Sequence, residues 1–256
     1  MTLIAYTREI SPALADCELT HLVREPLDIE GARIEHETYE AVLASLGAEV
    51  RRLPAAPHLP DGVFVEDAAV VLDDVAVITR PGALSRQPET VSVAAALAAY
   101  RPLVHIAAPG TLDGGDVLVA GRTIYVGLST RTSRDAIAQL GAALAPYGYQ
   151  VVPVAFNGCL HLKSAVTRIA DDLVLLNPAW VSPATFAGHR SLAVDPAEPH
   201  AANALALGGA VIHPAHHSRT RERMEASGFT VRTVPQAELA KAESGVTCSS
   251  LLVTVP

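Results

Sequence analysis

One pattern limits the folds open to this 256-residue chain more than any other: a short two-stranded hairpin that occurs four times. Residues 116–128, DVLVAGRTIYVGL, read as a strand, an Ala-Gly-Arg turn and a second apolar strand. DAAVVLDDVAVITR (67–80), LKSAVTRIADDLVLLN (162–177) and ANALALGGAVIHP (202–214) have the same shape. Each hairpin opens on a polar residue: Asp67, Asp116, the His161–Lys163 pair or Asn203. Cys248 opens a further strand, SSLLVTV. The openers lie roughly 45 residues apart, a period typical of stacked or radial repeats.

Helical stretches separate the hairpins. SRQPETVSVAAALAAY (85–100) is Ala-rich, and Ser85 with Pro88 and Glu89 resembles a helix start. TSRDAIAQLGAALAPYG (132–148) spaces its apolar residues for a helix and ends at Gly148; SRTRERMEASG (218–228) is a shorter version. A strand follows each: RPLVHIAAP, QVVPVAF and FTVRTVP. The unit is therefore ββαβ. The N-terminal TLIAYTR completes a fifth unit if it pairs with SSLLVTV, and that closure removes a sheet edge. The expected fold is α/β, a five-bladed propeller of ββαβ units around a central channel, with 1–256 as a single domain. An ordinary α/β sandwich leaves unexplained why every hairpin starts on a polar or reactive residue.

Composition narrows the function. Hydrophobic residues make up 50% and charged residues 18%, as in a globular chain. A net charge of −8 and 4% aromatics exclude a basic, base-stacking nucleic-acid surface. Acidic charge suits a cationic small molecule, although it also serves solubility. No run approaches the roughly 18 apolar residues of a membrane span. MTLIAYTREI reads as a strand and carries no basic leader, which predicts a cytoplasmic protein. Cys17, Cys159 and Cys248 are too few and too widely spaced for a disulfide framework or a structural zinc site.

A ring gathers Cys248, His161, Asp113, Asp116, Glu66, Asp67 and Asn203 at its axis. A thiol can attack an electrophilic carbon, a histidine can move protons and carboxylates can grip a cation. The matching electrophile is a guanidinium or amidine, whose N–H groups pair with carboxylates around an sp² carbon.

PDGVFVEDAAVV (60–71), ITRPGALSRQPET (78–90), APGTLDGGDVLVAGRTIYVGLSTRT (108–132), LHLKSA (160–165), AAN (201–203) and GVTCSS (245–250) span most of the chain. In that order they resemble the dimethylarginine dimethylaminohydrolase family, of the guanidine-modifying, five-bladed pentein superfamily. The resemblance implies a catalytic pentein domain that hydrolyses asymmetric dimethylarginine and monomethylarginine to citrulline and a methylamine through a Cys-thiouronium intermediate. It implies Cys248 as nucleophile, His161 as general acid/base and Asp113 as the acid orienting it. Many bacterial relatives have glutamate at that position, whereas LDGGD resembles the animal enzymes. Glu66 and Asp67 match the pair on the guanidinium side, Arg86 and Arg131 the clamp on the substrate carboxylate, and Asp61 a ligand of the α-amino group. Leu19 lies on SPALADCELTHL, which matches a mobile lid. Ala242 stands where relatives have a larger aliphatic residue whose backbone meets the amine. No cofactor is implied, although such a site can capture inhibitory zinc at Cys248. The implied partner is a small methylarginine, with no nucleic acid and no membrane, and the chain is a monomer or homodimer.

The remaining candidates read blandly. Cys17 and Cys159 are small core hydrophobes. His21, His36, His58, His105, His189 and His200 are structural, and His216 and His217 belong to the surface. His213, His216 and His217 lack the carboxylate pattern of a metal site. The nearest alternative is arginine or agmatine deiminase chemistry, although typical arginine deiminases are longer by an added helical domain. The other is a non-catalytic pentein that binds a protein partner, which has no use for Cys248, His161 and the acids together.

Overall fold

The computed structural model describes residues 1–255 and contains five three-stranded sheets. Leu251–Val255 runs antiparallel to Thr2–Thr7, which runs parallel to Ala48–Arg52. The other four sheets repeat this order with Ala69–Val71, Val117–Ala120, Val166–Ala170 and Leu205–Leu207 as first strands. The register Thr2↔Val255 through Tyr6↔Leu251 closes the ring between the two ends of the chain, as the repeat requires.

All five first strands line one central cavity of about 790 Å³. Four of them are entered through a single helical turn: Val65–Ala68, Gly114–Asp116, Leu162–Ala165 and Val246–Ser249. These turns carry the polar openers. The turns meet through polar contacts and glycines: Asp67 accepts the Gly115 N–H, Asp116 the Leu162 N–H and Glu66 the Thr247 hydroxyl. Gly115 is the tightest case: a Cβ there would stand 2.5 Å from His161 Nδ1 and 2.8 Å from Asp67 Oδ1.

Apolar clusters fill the space between sheets and the outer helices. The helix Arg134–Leu144 is capped by Ser133, whose Oγ accepts the Ala136 N–H at 3.2 Å. Its buried Ile137, Leu140 and Leu144 pack on Val117, Ile124 and Val126. Each such side chain contributes about 1.5–3 kcal/mol by leaving water. The helix expected to begin near Ser85 begins at Thr90 instead. Leu84–Glu89 forms a tighter 3₁₀ turn containing Pro88, whose missing N–H and ring disfavour an α-helical continuation through it.

The longest helix, Ile29–Ser45, was not legible as an apolar stripe because its inner face carries Glu35, His36 and Glu40 beside Ala32, Tyr39 and Leu43. Those polar groups have specific work. Glu35 accepts the N–H groups of Ala237, Glu238 and Leu239, and the Tyr39 hydroxyl meets Ser250 Oγ at 2.7 Å. The helix therefore anchors the segment leading to Cys248. No helix among the described residues is long and apolar enough to cross a membrane.

Candidate active site

The openers converge at one end of the axis. Asp61, Asp67, Arg86, Arg131, His161, Ala242 and Cys248 line a small cavity of about 20 Å³, room for roughly one water. Cys248 sits on the Val246–Ser249 turn, with the Gly245 N–H 3.3 Å from its sulfur. Asn203 fixes that turn. Its Oδ1 accepts the Thr247 N–H at 3.0 Å and its amide nitrogen donates to the Lys163 carbonyl at 3.1 Å. Gly245 has no side chain because Asn203 occupies the place: a Cβ would stand 2.2 Å from its Cγ.

His161 Nε2 lies 3.1 Å from Asp113 Oδ2, so the shorter aspartate arm reaches the ring. Asp113 is itself held by the Gly82 N–H at 2.8 Å. Asp116, fully buried, accepts the Leu162 N–H at 2.9 Å and the Ser129 hydroxyl at 2.6 Å, which positions the residue after His161. His161 Nδ1 faces Asp67 Oδ1 at 3.8 Å. Burial opposes charge on the imidazole, but Asp67, the Asp113 hydrogen bond and Asp116 outweigh it and raise its pKa to about 9. Burial likewise opposes charge on Asp67, yet His161, Arg86 and the Gly115 N–H hold it at about 2. At neutral pH the site thus keeps an imidazolium beside a carboxylate.

Cys248 stands in the opposite regime. Desolvation, then Glu66 and Asp67, push its thiol up to about 12. We expect the resting enzyme to hold a neutral thiol that ionises only when a cationic ligand arrives. Ultraviolet titration of the thiolate, with and without such a ligand, should show the midpoint falling on binding. A thiolate already dominant below neutrality in the free enzyme would overturn this.

Several residues stand differently from the plain sequence expectation. Glu66 is not in the cavity wall. It pairs with Lys163 Nζ at 2.5 Å and accepts the Thr247 hydroxyl at 2.7 Å, beneath the cysteine turn and beside the central cavity. Arg86 lines the cavity, but Asp67 at 2.6 Å and both oxygens of Glu89 engage its guanidinium. Arg131 is less committed, with Thr20 Oγ1 at 3.1 Å. Leu19 packs on the apolar cluster of Leu14, Phe64 and Ala242 rather than on the cavity itself. His213 is fully buried and donates from Nε2 to the Ala201 carbonyl, 2.9 Å away.

Sequence reasoning missed Glu18, Glu89 and Glu243. The Glu18 N–H donates to Asp61, and Glu18 lines the cavity. Glu243 Oε1 accepts three successive N–H groups, from Thr20 at 3.0 Å and from His21 and Leu22. It is the only non-glycine described residue at positive φ, 57°. It thereby holds the segment 20–22 down over the site. Glu89 follows Arg86 by three residues, a spacing that brings side chains together on one helical face and was the available signal. Nothing local marks Glu243, whose partners are more than 220 residues away in the chain. Asp67, Asp113 and His161 also present ligand atoms within 4.8 Å of one another, a set able to hold a cation.

The arginine deiminase family model matches residues 55–197. The chain is 41% identical to the N(G),N(G)-dimethylarginine dimethylaminohydrolase of Streptomyces coelicolor, over 96% of this chain and 95% of that one. It is 33% identical to the protein of the same name from Pseudomonas aeruginosa, over 88% and 89%. Among solved structures it is similar to the Pseudomonas aeruginosa enzyme in a cysteine-to-serine mutant complexed with citrulline: TM-score 0.93, 30% identity, 99% and 100% of the two chains. A histidine-to-glycine adduct of a dimethylarginine dimethylaminohydrolase with S-methyl-L-thiocitrulline gives a TM-score of 0.93 at 31% identity, with the same coverage.

Proposed function

This chain belongs to the dimethylarginine dimethylaminohydrolase family, and we infer from that premise how its cavity hydrolyses Nω-methylated arginines to citrulline and a methylamine. The observation that carries the reading is the placement of Cys248, His161 and Asp67 around one cavity, with Asp113 behind the histidine.

The substrate guanidinium lies against Asp67, with Glu66 adding negative charge from beneath. Arg131, assisted by Arg86, takes the α-carboxylate; Asp61 and the backbones of Leu19 and Ala242 take the α-ammonium. The substrate cation stabilises a thiolate, and the thiol proton leaves to solvent before the segment 18–22 closes. Cys248 Sγ then bonds to the guanidinium carbon. The bond from that carbon to the methylated nitrogen breaks as the His161 imidazolium gives that nitrogen its proton. A thiouronium remains on Cys248. Neutral His161 takes a proton from water, whose oxygen bonds to the same carbon. The C–S bond breaks, the proton on the new oxygen returns to sulfur, and citrulline departs. Two easier displacements replace one hard one, and holding sulfur and carbon in place supplies several kcal/mol, on the order of the 7–11 kcal/mol available to well-oriented reactants.

No step needs a metal. Zinc, if held by Asp67, Asp113 and His161 or by Cys248, would block the proton transfers and inhibit. Every residue of the proposed site comes from one chain, so a monomer is sufficient. Three free thiols, at Cys17, Cys159 and Cys248, suit a reducing cytoplasm.

A citrulline assay on arginine, monomethylarginine, asymmetric and symmetric dimethylarginine tests this reading. Asymmetric dimethylation removes both N–H donors from one nitrogen. A pocket with Asp67 as its cavity-lining carboxylate at the guanidinium head leaves no acceptor unpaired on that side. Unmethylated arginine, by contrast, buries donors that find no partner, at about 1–3 kcal/mol. We expect kcat/KM for the mono- and asymmetric dimethylated forms to exceed that for arginine by at least about tenfold. Symmetric dimethylarginine should be poor, because a methyl lies on the nitrogen that Asp67 must grip. Arginine turned over as well as its methylated forms would favour a deiminase.

A further inference from the structure

The cavity at the nucleophile has room for roughly one water, so an amino acid with a guanidinium head cannot enter it as it stands. Something must leave first, and the segment 18–22 supplies what leaves. Arg131 and Asp61, assigned to the amino-acid end of the substrate, already have partners on that segment. The Arg131 guanidinium donates from Nη2 to Thr20 Oγ1 at 3.1 Å. The two carboxylate oxygens of Asp61 share the Glu18 N–H, at 3.1 and 3.3 Å.

These contacts have the chemistry that an amino acid brings. The cationic side chain receives an oxygen, as it would from an α-carboxylate, and the anionic one receives an N–H, as it would from an α-ammonium. Arg131 is 7% and Asp61 4% exposed, so either group left without a partner in the resting protein would carry a desolvation cost. The segment is also tied down by bonds that involve neither of them. Glu243 Oε1 accepts the N–H groups of Thr20, His21 and Leu22, and the Ser85 hydroxyl donates to the Glu18 carboxylate. Thr20 is therefore held by its backbone while its hydroxyl is presented to Arg131.

We propose that Glu18 and Thr20 are an internal stand-in for the amino-acid end of the substrate, filling the α-ammonium and α-carboxylate places until a complete amino acid displaces them. The assignment rests on the methylarginine reading and adds to it the competitor that each ligand meets. An α-carboxylate makes a charge-assisted bond to Arg131 that a neutral hydroxyl cannot match, so it takes the place of Thr20. A ligand without a carboxylate leaves the Thr20 contact intact. The strength of that contact is accordingly subtracted from the affinity of carboxylate-bearing ligands alone.

The test measures, by titration calorimetry, the Kd of citrulline and of its decarboxylated analogue, ureidobutylamine, in the wild-type protein, Thr20→Val and Thr20→Ser. Thr20 is exposed and valine keeps its branched shape, so the fold should tolerate both changes. Thr20→Val removes the competing oxygen and should tighten citrulline binding by about three- to tenfold, the factor expected for one hydrogen bond. Ureidobutylamine should stay within about twofold of its wild-type Kd, and Thr20→Ser, which keeps the hydroxyl, should bind citrulline as the wild type does. Citrulline bound no more tightly by Thr20→Val overturns the proposal. So does equal tightening of both ligands, because the hydroxyl then holds the segment shut without competing for the carboxylate place. Thr20→Ser behaving like Thr20→Val overturns it too. A protein that makes citrulline from dimethylarginine yet gives any of these results loses only the stand-in. One that neither makes nor binds citrulline loses the underlying reading as well.

Discussion

Replacing Cys248 by serine is expected to lower kcat by at least about a thousandfold while leaving the fold and citrulline binding nearly intact. Serine matches the size of cysteine and can keep the contact with the Gly245 N–H, which donates to the sulfur at 3.3 Å. The chemistry changes far more than the packing. The mechanism depends on the substrate cation drawing a proton from the thiol, whose pKa is raised to about 12 by burial, Glu66 and Asp67. A hydroxyl in that place ionises less readily still, and the same carboxylates oppose it. Steady-state citrulline formation and citrulline binding, measured on one preparation, separate loss of chemistry from loss of folding. Turnover within tenfold of wild type would remove Cys248 as nucleophile.

His161→Gly should cost a comparable amount, about a hundred- to ten-thousandfold, because one residue serves both as the acid for the leaving nitrogen and as the base for water. The two halves can be told apart by leaving group. With an S-alkylthiocitrulline the departing thiolate needs no proton, so attack by Cys248 proceeds and hydrolysis stalls. Intact-mass spectrometry should then show an adduct equal to the substrate less its leaving group. The double variant His161→Gly, Cys248→Ser should show none, and an adduct on it would move the attachment elsewhere. The pH dependence has a definite sign. The His161 pKa is raised to about 9, so its acid function is present through neutrality and is lost as pH rises through that value.

What the sequence alone carried was periodic or chemically distinctive. Alternating apolar runs, turn residues and a repeat of polar openers are local, so the five units and the N- to C-terminal closure were legible, with the register Thr2↔Val255 bearing them out. The resemblance to the family's motifs also implies Cys248, His161 and Asp113. Legibility ended where a residue's partner is far away in the chain. Ile29–Ser45 escaped because its buried face is half polar, and Glu35 finds its partners some 200 residues on. The sequence likewise does not reveal that Glu66 answers Lys163 or that Arg86 is already engaged by Asp67 and Glu89. Nor does it reveal that Glu243 latches three N–H groups near the N-terminus. Those pairings are decided by which side chains close packing brings together. Burial then makes each unpaired charge or hydrogen-bonding group costly enough to select its partner, and that selection exists only once the ring has closed.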